Sequence, residues 1–219
     1  GREVFIDGKR HYSFALHSPM LGERKRSWLE RKLYFECDRC GYAKLEEIDS
    51  GHFEREVLDC PSCREPAGMG PALYWIVPPG FAHPFEMEEE LAVDQPPDYT
   101  RPTQAKLNAP FKEGDAGGHT LTFGDRSLTI WTKKEELFLT NRGAEDLENR
   151  GFIYCLPCGR IEPKGWHDEQ RSYLNNRAAH PKPFPNSREQ PNCNGFTQLV
   201  SLGTKFISDV SLFRLRLGD

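Results

Sequence analysis

Six of the seven cysteines in this chain of 219 residues fall into three Cys-x2-Cys pairs, Cys37/Cys40, Cys60/Cys63 and Cys155/Cys158, leaving Cys193 alone. Two thiols at that spacing, followed by a glycine or a turn, form a knuckle that offers two sulfurs to one metal ion, and two knuckles complete a tetrahedral site. The run Cys37-x2-Cys40-x19-Cys60-x2-Cys63 predicts a four-cysteine zinc site. Cys155, Cys158 and Cys193 supply three more sulfurs, and zinc takes a fourth ligand. His180 and His167 are the candidates in the stretch between them. His180 is favoured, because the prolines after it stiffen that arm; the other histidine, or a site without a fourth protein ligand, stays open. His11, His17, His83 and His119 read as solvated histidines.

Rival chemistries fit less well. Disulfides belong to oxidising compartments. The start of the chain lacks the apolar core of a secretory leader, so a reducing cytoplasm and metal are expected. Apolar core cysteines would not be flanked by the polar residues of Cys-Asp-Arg-Cys and Cys-Pro-Ser-Cys. A thioredoxin-like pair needs a helix after the second cysteine, and Arg64-Glu65-Pro66-Ala67-Gly68 does not make one. His52-Phe53-Glu54 ahead of Cys60 and Cys63 echoes the letters of a zinc deaminase. The gap is too short for the intervening helix, and Cys37 and Cys40 would be idle. No phosphate-binding P-loop is present, so ATP hydrolysis is not expected of this chain.

The elements around the cysteines read as strands. Lys32–Glu36 enters the first knuckle and Tyr42–Ile48 leaves it. Phe53–Asp59 enters the second, and Ala72–Val77 leaves after Gly68 and Gly70. Strand, knuckle, strand, repeated, is a zinc ribbon in outline. Short strands and a basic stretch (24–33) that can form a helix precede it. Residues 86–118, rich in charge, proline and glycine, read as an extended connector. A hairpin is expected around Gly124 and Asp125, with Leu121 and Phe123 facing Leu128 and Ile130; a second hairpin is expected to turn at Lys133–Glu136. At the end, Phe213, Leu215 and Leu217 alternate with Arg214 and Arg216, an amphipathic strand. The expected fold is mainly β (small α+β) and loop-rich: a zinc ribbon plus a second zinc-stabilised antiparallel unit. The expected division is 1–85, a linker over 86–118, and 119–219.

The 19 glycines and 17 prolines imply a thin core that metal clips would compensate. No apolar run approaches the ~20 residues of a membrane span. The chain does not begin with methionine, which suggests a piece of something longer. A net charge of −4 opposes a globally basic nucleic-acid binder, so any DNA contact must be local. Arg24, Lys25, Arg26, Trp28, Arg31 and Lys32 form a basic stretch with one aromatic, suited to phosphates and a stacked base. It reads equally as a solvated helix face with Trp28 packed beneath. Arg101, Lys106 and Lys112 on the connector are as ambiguous.

Leu137–Gly143, Gly151–Gly159, Ala179–Phe184, Asn192–Gly195 and Leu202–Leu217 together carry a resemblance. The order Asn-Arg-Gly, Gly-Phe, Cys-x2-Cys-Gly, His-Pro, Cys with Gly, then Leu-Gly-x-x-Phe-x-x-Asp-Val resembles the helicase-associated C-terminal cysteine (zinc-binding) domain family. That family occurs in mitomycin-repair-type superfamily 2 helicases and in the B subunit of DISARM anti-phage systems. Ala72–Pro84 and the later Arg101–Leu107 resemble the region upstream of it. The resemblance places the family's metal positions on Cys155, Cys158, Cys193 and His180, the histidine being a departure from its usual cysteine. It implies an accessory module of a DNA helicase or translocase in repair or phage defence, with the motor in the same chain or a partner subunit; the two cysteine sets themselves call for two Zn2+ as cofactors. A protein–protein scaffold without DNA affinity is the alternative.

Overall fold

A computed structural model describes residues 3–6, 9–12, 14–20, 22–82, 89–90, 105–107, 118–143, 151–164, 179–184 and 190–216. His167, His83, Arg101, Lys112 and Leu217 lie outside them, as does the side chain of His11. In chain order the elements are β1 (Glu3–Ile6), β2 (Lys9–Tyr12), β3 (Ala15–Leu16), α1 (Glu23–Leu29), β4 (Lys32–Glu36), β5 (Ala43–Glu46), β6 (Leu73–Ile76), β7 (Phe81–Ala82) and β8 (Glu89–Glu90). There follow β9 (Lys106–Leu107), β10 (His119–Phe123), β11 (Arg126–Asn141), β12 (Phe152–Cys155), β13 (Ile161–Pro163), β14 (His180–Pro181), β15 (Asn192–Cys193) and β16 (Thr197–Arg216). The protein is mainly β, with one short helix among the described residues.

One nine-stranded sheet dominates, ordered β10-β11-β16-β6-β4-β5, with β12 on β16, β13 on β12, and β9 on β11. It spans both sides of the 86–118 stretch. The joint is the parallel pairing of β6 with β16, Val200 opposite Tyr74 and Leu202 opposite Ile76. Within 86–118, Glu89 and Glu90 pair with β2, and Lys106 and Leu107 pair with Phe138 and Leu137. The sheet curls so that β5 approaches β9, and Lys106 Nζ donates to the carbonyl of Gly41 at 2.6 Å.

Alternation explains the packing. One face of the curl encloses Tyr34, Ala43, Leu45, Trp75 and Phe138. The rings of Tyr34 and Trp75 both meet Phe138 edge-on, a favoured arrangement worth ~1 kcal/mol per pair. On the other side, Leu16, Ile76, Phe152, Tyr154, Ile161, Val200 and Leu202 form a second core, closed by Trp28 of α1. Leu33, Phe35, Met69 and Ala72 pack around Cys37 and Cys60 in a third.

The long pair of β11 and β16 departs from expectation. Strand β11 runs unbroken through Lys133–Glu136 and pairs with β16 from Ser127↔Arg216 to Asn141↔Leu202. No hairpin turns there. The four residues hold no glycine, proline, asparagine or aspartate to make a turn, and cross-strand pairs hold them extended: Lys134 opposes Asp209, and Glu136 bonds Lys205 at 2.8 Å. The hairpin at Gly124–Asp125 is present, with Leu121 opposite Leu128; Phe123 opposes Arg126 rather than Ile130. Strand β12 continues along the same side of β16 as β11, Phe152 taking Val200 as partner. The excursion between them closes through Asn141, whose side-chain oxygen accepts from Gly143 N–H at 2.9 Å. A Cβ on Gly143 would lie 2.5 Å from the Gly151 carbonyl oxygen, so only glycine fits there.

Candidate metal centres

Three loops with the same backbone carry the cysteine pairs. The first cysteine's N–H donates to the carbonyl five residues on, and its carbonyl accepts from the N–H four residues on. This holds for Cys37 with Tyr42 and Gly41, Cys60 with Glu65 and Arg64, and Cys155 with Arg160 and Gly159. The fourth residue turns through positive φ, at 68° in Gly41, 61° in Arg64 and 86° in Gly159. Glycine adopts that conformation without strain; the second knuckle uses arginine. The second cysteine of each pair, Cys40, Cys63 or Cys158, then accepts a backbone N–H from Tyr42, Glu65 or Arg160. Cys193 accepts one from Gly195 at 3.3 Å.

The knuckles converge in pairs. Cys37, Cys40, Cys60 and Cys63 form one group and Cys155, Cys158, His180 and Cys193 another, with the ligand atoms of each within 4.8 Å of one another. In the first, Sγ atoms of Cys37 and Cys63 lie 3.7 Å apart and those of Cys40 and Cys60 3.6 Å apart. In the second, Cys155 and Cys193 sulfurs lie 3.7 Å apart, and Cys158 Sγ lies 3.3 Å from His180 Nε2. A tetrahedron of thiolates ~2.3 Å from its centre has edges of ~3.8 Å. A disulfide would need ~2.05 Å, and all seven cysteines are free. Both groups can therefore hold a metal ion.

His180 reaches its group because β14 pairs with β15 and sets it directly opposite Cys193. It is buried, as are Cys155 and Cys193. The first centre is more open: Cys37 and Cys60 are buried, Cys63 is half-buried and Cys40 is exposed.

Each group polarises its own thiols. The hydrogen bond from Cys155, with help from the Arg160 N–H and His180, holds Cys158 down to about 5, while that same bond and burial push Cys155 up. The Tyr42 N–H and the neighbouring sulfurs lower Cys40 to about 7. The Glu65 N–H opposes a rise at Cys63, but desolvation and the other three sulfurs outweigh it and push that thiol up to about 12.

Other candidates sit elsewhere. His52 bonds Glu56 at 2.9 Å and meets the Phe35 ring, so it does not join the cysteines. Burial raises Glu54. His17 and His119 are exposed, and His17 lies against Phe184 with ring centroids 5.3 Å apart.

The basic stretch divides. Trp28 is packed on Tyr74 at 5.3 Å and Tyr154 at 6.5 Å. Arg31 covers the Trp28 ring from 4.4 Å and that of Tyr74 from 5.1 Å, and Lys32 pairs with Glu47. These three serve the packing of α1 and β4, and Trp28 does not present a face for a base. Lys25 and Arg26 are exposed, and Arg24 reaches the third knuckle, donating to the Pro157 carbonyl at 2.5 Å. Lys106 is bound at the first knuckle, as described above.

Two residues near the second centre carry no sequence signal of their own. Arg160 and Glu162 are both buried, with Arg160 Nε donating to Glu162 Oε1 at 2.8 Å. Only the position of Arg160, next after the positive-φ glycine of a knuckle, could have drawn attention to it. No helix among the described residues is long and apolar enough to cross a membrane. The chain matches no family model, no curated protein and no solved structure.

Proposed function

We propose that this chain is a non-catalytic, two-zinc β module that engages nucleic acid for a larger DNA-translocating machine, the role implied by its resemblance to helicase-associated cysteine domains. The observation that carries the structural half of the reading is closure. Each group supplies four protein ligands at tetrahedral spacing, whereas a catalytic zinc keeps one position for water or substrate. Four sulfurs, or three sulfurs and one imidazole, favour Zn2+ over harder cations. Structural zinc at such a site contributes ~10 kcal/mol or more to folding, which suits a chain whose core is split into small clusters.

The test has two parts. Elemental analysis of the purified protein is expected to give two zinc ions per chain, and absence of metal would overturn the reading. Labelled DNA is expected to bind at low salt and to be released as salt rises; no binding at low salt would remove the nucleic-acid half.

One observation favours a second reading, a protein–protein scaffold. Leu121, Phe123, Phe213 and Leu215 lie on one face of the β10-β11-β16 tip and are each at least half exposed. Apolar side chains grouped on a sheet face mark interaction surfaces. A chain that binds no DNA but co-purifies stoichiometrically with a motor subunit would support this reading.

A further inference from the structure

Resting on the nucleic-acid reading above, we propose that the outer face of the third knuckle is a contact site for single-stranded nucleic acid, with Arg24 and Lys182 on phosphates and Phe184 and Phe196 stacking bases. A cleft of about 350 Å³ opens beside the second metal centre, lined by Arg24, Pro157, Cys158, Lys182, Pro183 and Phe184 among others. Its cations come from distant parts of the chain: Arg24 from α1, anchored on the Pro157 carbonyl, and Lys182 from just past β14, whose N–H is fixed to the Pro191 carbonyl at 2.8 Å. A Cβ on Gly159 would strike the Arg24 guanidinium, so the knuckle's glycine lets the cation lie against it.

Two aromatic rings flank the same loop. Phe184 lines the cleft and is 42% exposed, its ring set against His17. Phe196 is 84% exposed although its carbonyl is fixed by the Leu156 N–H at 3.2 Å. The Phe196 backbone is thus tied to the knuckle while its ring meets solvent, the arrangement of a stacking platform. Aromatic rings beside a cationic groove are the recurring means of holding unpaired strands, because every base offers a face. Duplex DNA hides those faces, so single strands are the favoured ligand. Of the basic stretch of α1 the site takes Arg24 alone, Trp28 being packed inward.

The test measures fluorescence anisotropy of a labelled oligothymidylate, with an oligouridylate arm to separate DNA from RNA, on the zinc-loaded full chain. Phe196→Ala is expected to weaken binding about five-fold or more. Arg24→Gln with Lys182→Gln is expected to lower the slope of log affinity on log salt by ~1.4, two phosphates at ~0.7 each. Lys25→Gln with Arg26→Gln is expected to leave the base-stacking contribution intact. Unchanged zinc content in every variant separates contact from folding. If the parent chain binds and Phe184→Ala and Phe196→Ala bind equally well, this site is overturned while the nucleic-acid reading stands. If polyglutamate competes for the cleft as well as the oligonucleotide does, the cleft is a general anion or acidic-protein surface and the proposal falls. If the parent chain binds no strand at low salt, the nucleic-acid reading itself has failed.

Discussion

Arg160 and Glu162 flank Ile161 as a fully buried ion pair, and the Arg160 guanidinium also donates through Nη1 to the carbonyl of Pro181 at 3.2 Å. Pro181 follows His180 directly. The pair therefore ties the histidine-bearing strand β14 to the knuckle that supplies Cys155 and Cys158, and the Phe14 ring, 4.2 Å from the guanidinium carbon, covers it. A histidine ligand on a two-residue strand needs such an anchor, since ligand orientation is set by what lies behind it.

Arg160→Met is expected to cost ~3–5 kcal/mol, because it strands the Glu162 carboxylate in the interior. Arg160→Met with Glu162→Gln is expected to recover much of that stability but not the affinity of the second centre. Cobalt titration reads the two centres separately, since a four-sulfur and a three-sulfur, one-nitrogen site absorb differently. Selective weakening of the latter in the double variant is the expected outcome; equal weakening at both centres would mean the pair only supports the fold.

Thiol chemistry of the metal-free protein follows from the polarised clusters. Cys158, held down to about 5 chiefly by its bond from Cys155, and Cys40, lowered to about 7 chiefly by the Tyr42 N–H, carry the thiolates near neutrality. A depressed folded value means the associated stability is present above the ordinary thiol range and is lost as pH falls through the folded value. For Cys158 that loss runs from the ordinary thiol value of 9.0 down to about 5, where it is complete. Pulsed alkylation with mass mapping at about pH 7 is expected to label Cys40 and Cys158 before Cys63 and Cys155, since the thiolate is the reactive form. Zinc is expected to protect all four. Uniform labelling of metal-free chain that circular dichroism shows to be folded would mean that the knuckle hydrogen bonds do not set the order.

The second knuckle offers a stabilising substitution. Arg64 turns at φ 61°, where its counterparts Gly41 and Gly159 are glycine. A left-handed conformation costs a side-chain-bearing residue ~1 kcal/mol, so Arg64→Gly is expected to stabilise the zinc-loaded protein by ~0.5–1 kcal/mol, less the extra freedom glycine gains when unfolded. Thermal melting is expected to rise by about a degree. A fall would mean the arginine side chain makes a contribution beyond its backbone.

The knuckles were legible in the sequence because their chemistry is local: a three-residue spacing followed by a glycine or a turn. His180 was legible because zinc needs a fourth ligand and few residues were eligible. The gathering of strands was not. Strand β6 finds β16 more than 120 positions later in the chain, and nothing in Leu73–Ile76 names that partner. Lys133–Glu136 looked like a turn because charge clusters often sit in loops; only the opposing run on β16 shows why it stays extended. Lys106 stays ambiguous in the sequence, since its acceptor is a backbone carbonyl 65 residues away.

The joint between the two cysteine-bearing halves yields a prediction that separates fold from metal. Trp75, from the first half, lays its indole across Gly203 of β16 and donates Nε1–H to Thr140 Oγ1 of β11 at 3.0 Å. A Cβ at Gly203 would fall 2.0 Å from that nitrogen, closer than any contact allows. Gly203→Ala must therefore displace the ring, loosening its packing on Phe138 and breaking a buried hydrogen bond. The expected cost is ~1–3 kcal/mol for overpacking with ~1 kcal/mol more for the bond, lowering the melting temperature by several degrees. The cluster that holds the Trp75 ring contains no cysteine and no histidine, so zinc content and cobalt spectra are expected to match the parent. Loss of one metal in Gly203→Ala would instead mean that the joint, and not the knuckles alone, holds that centre's ligands in place.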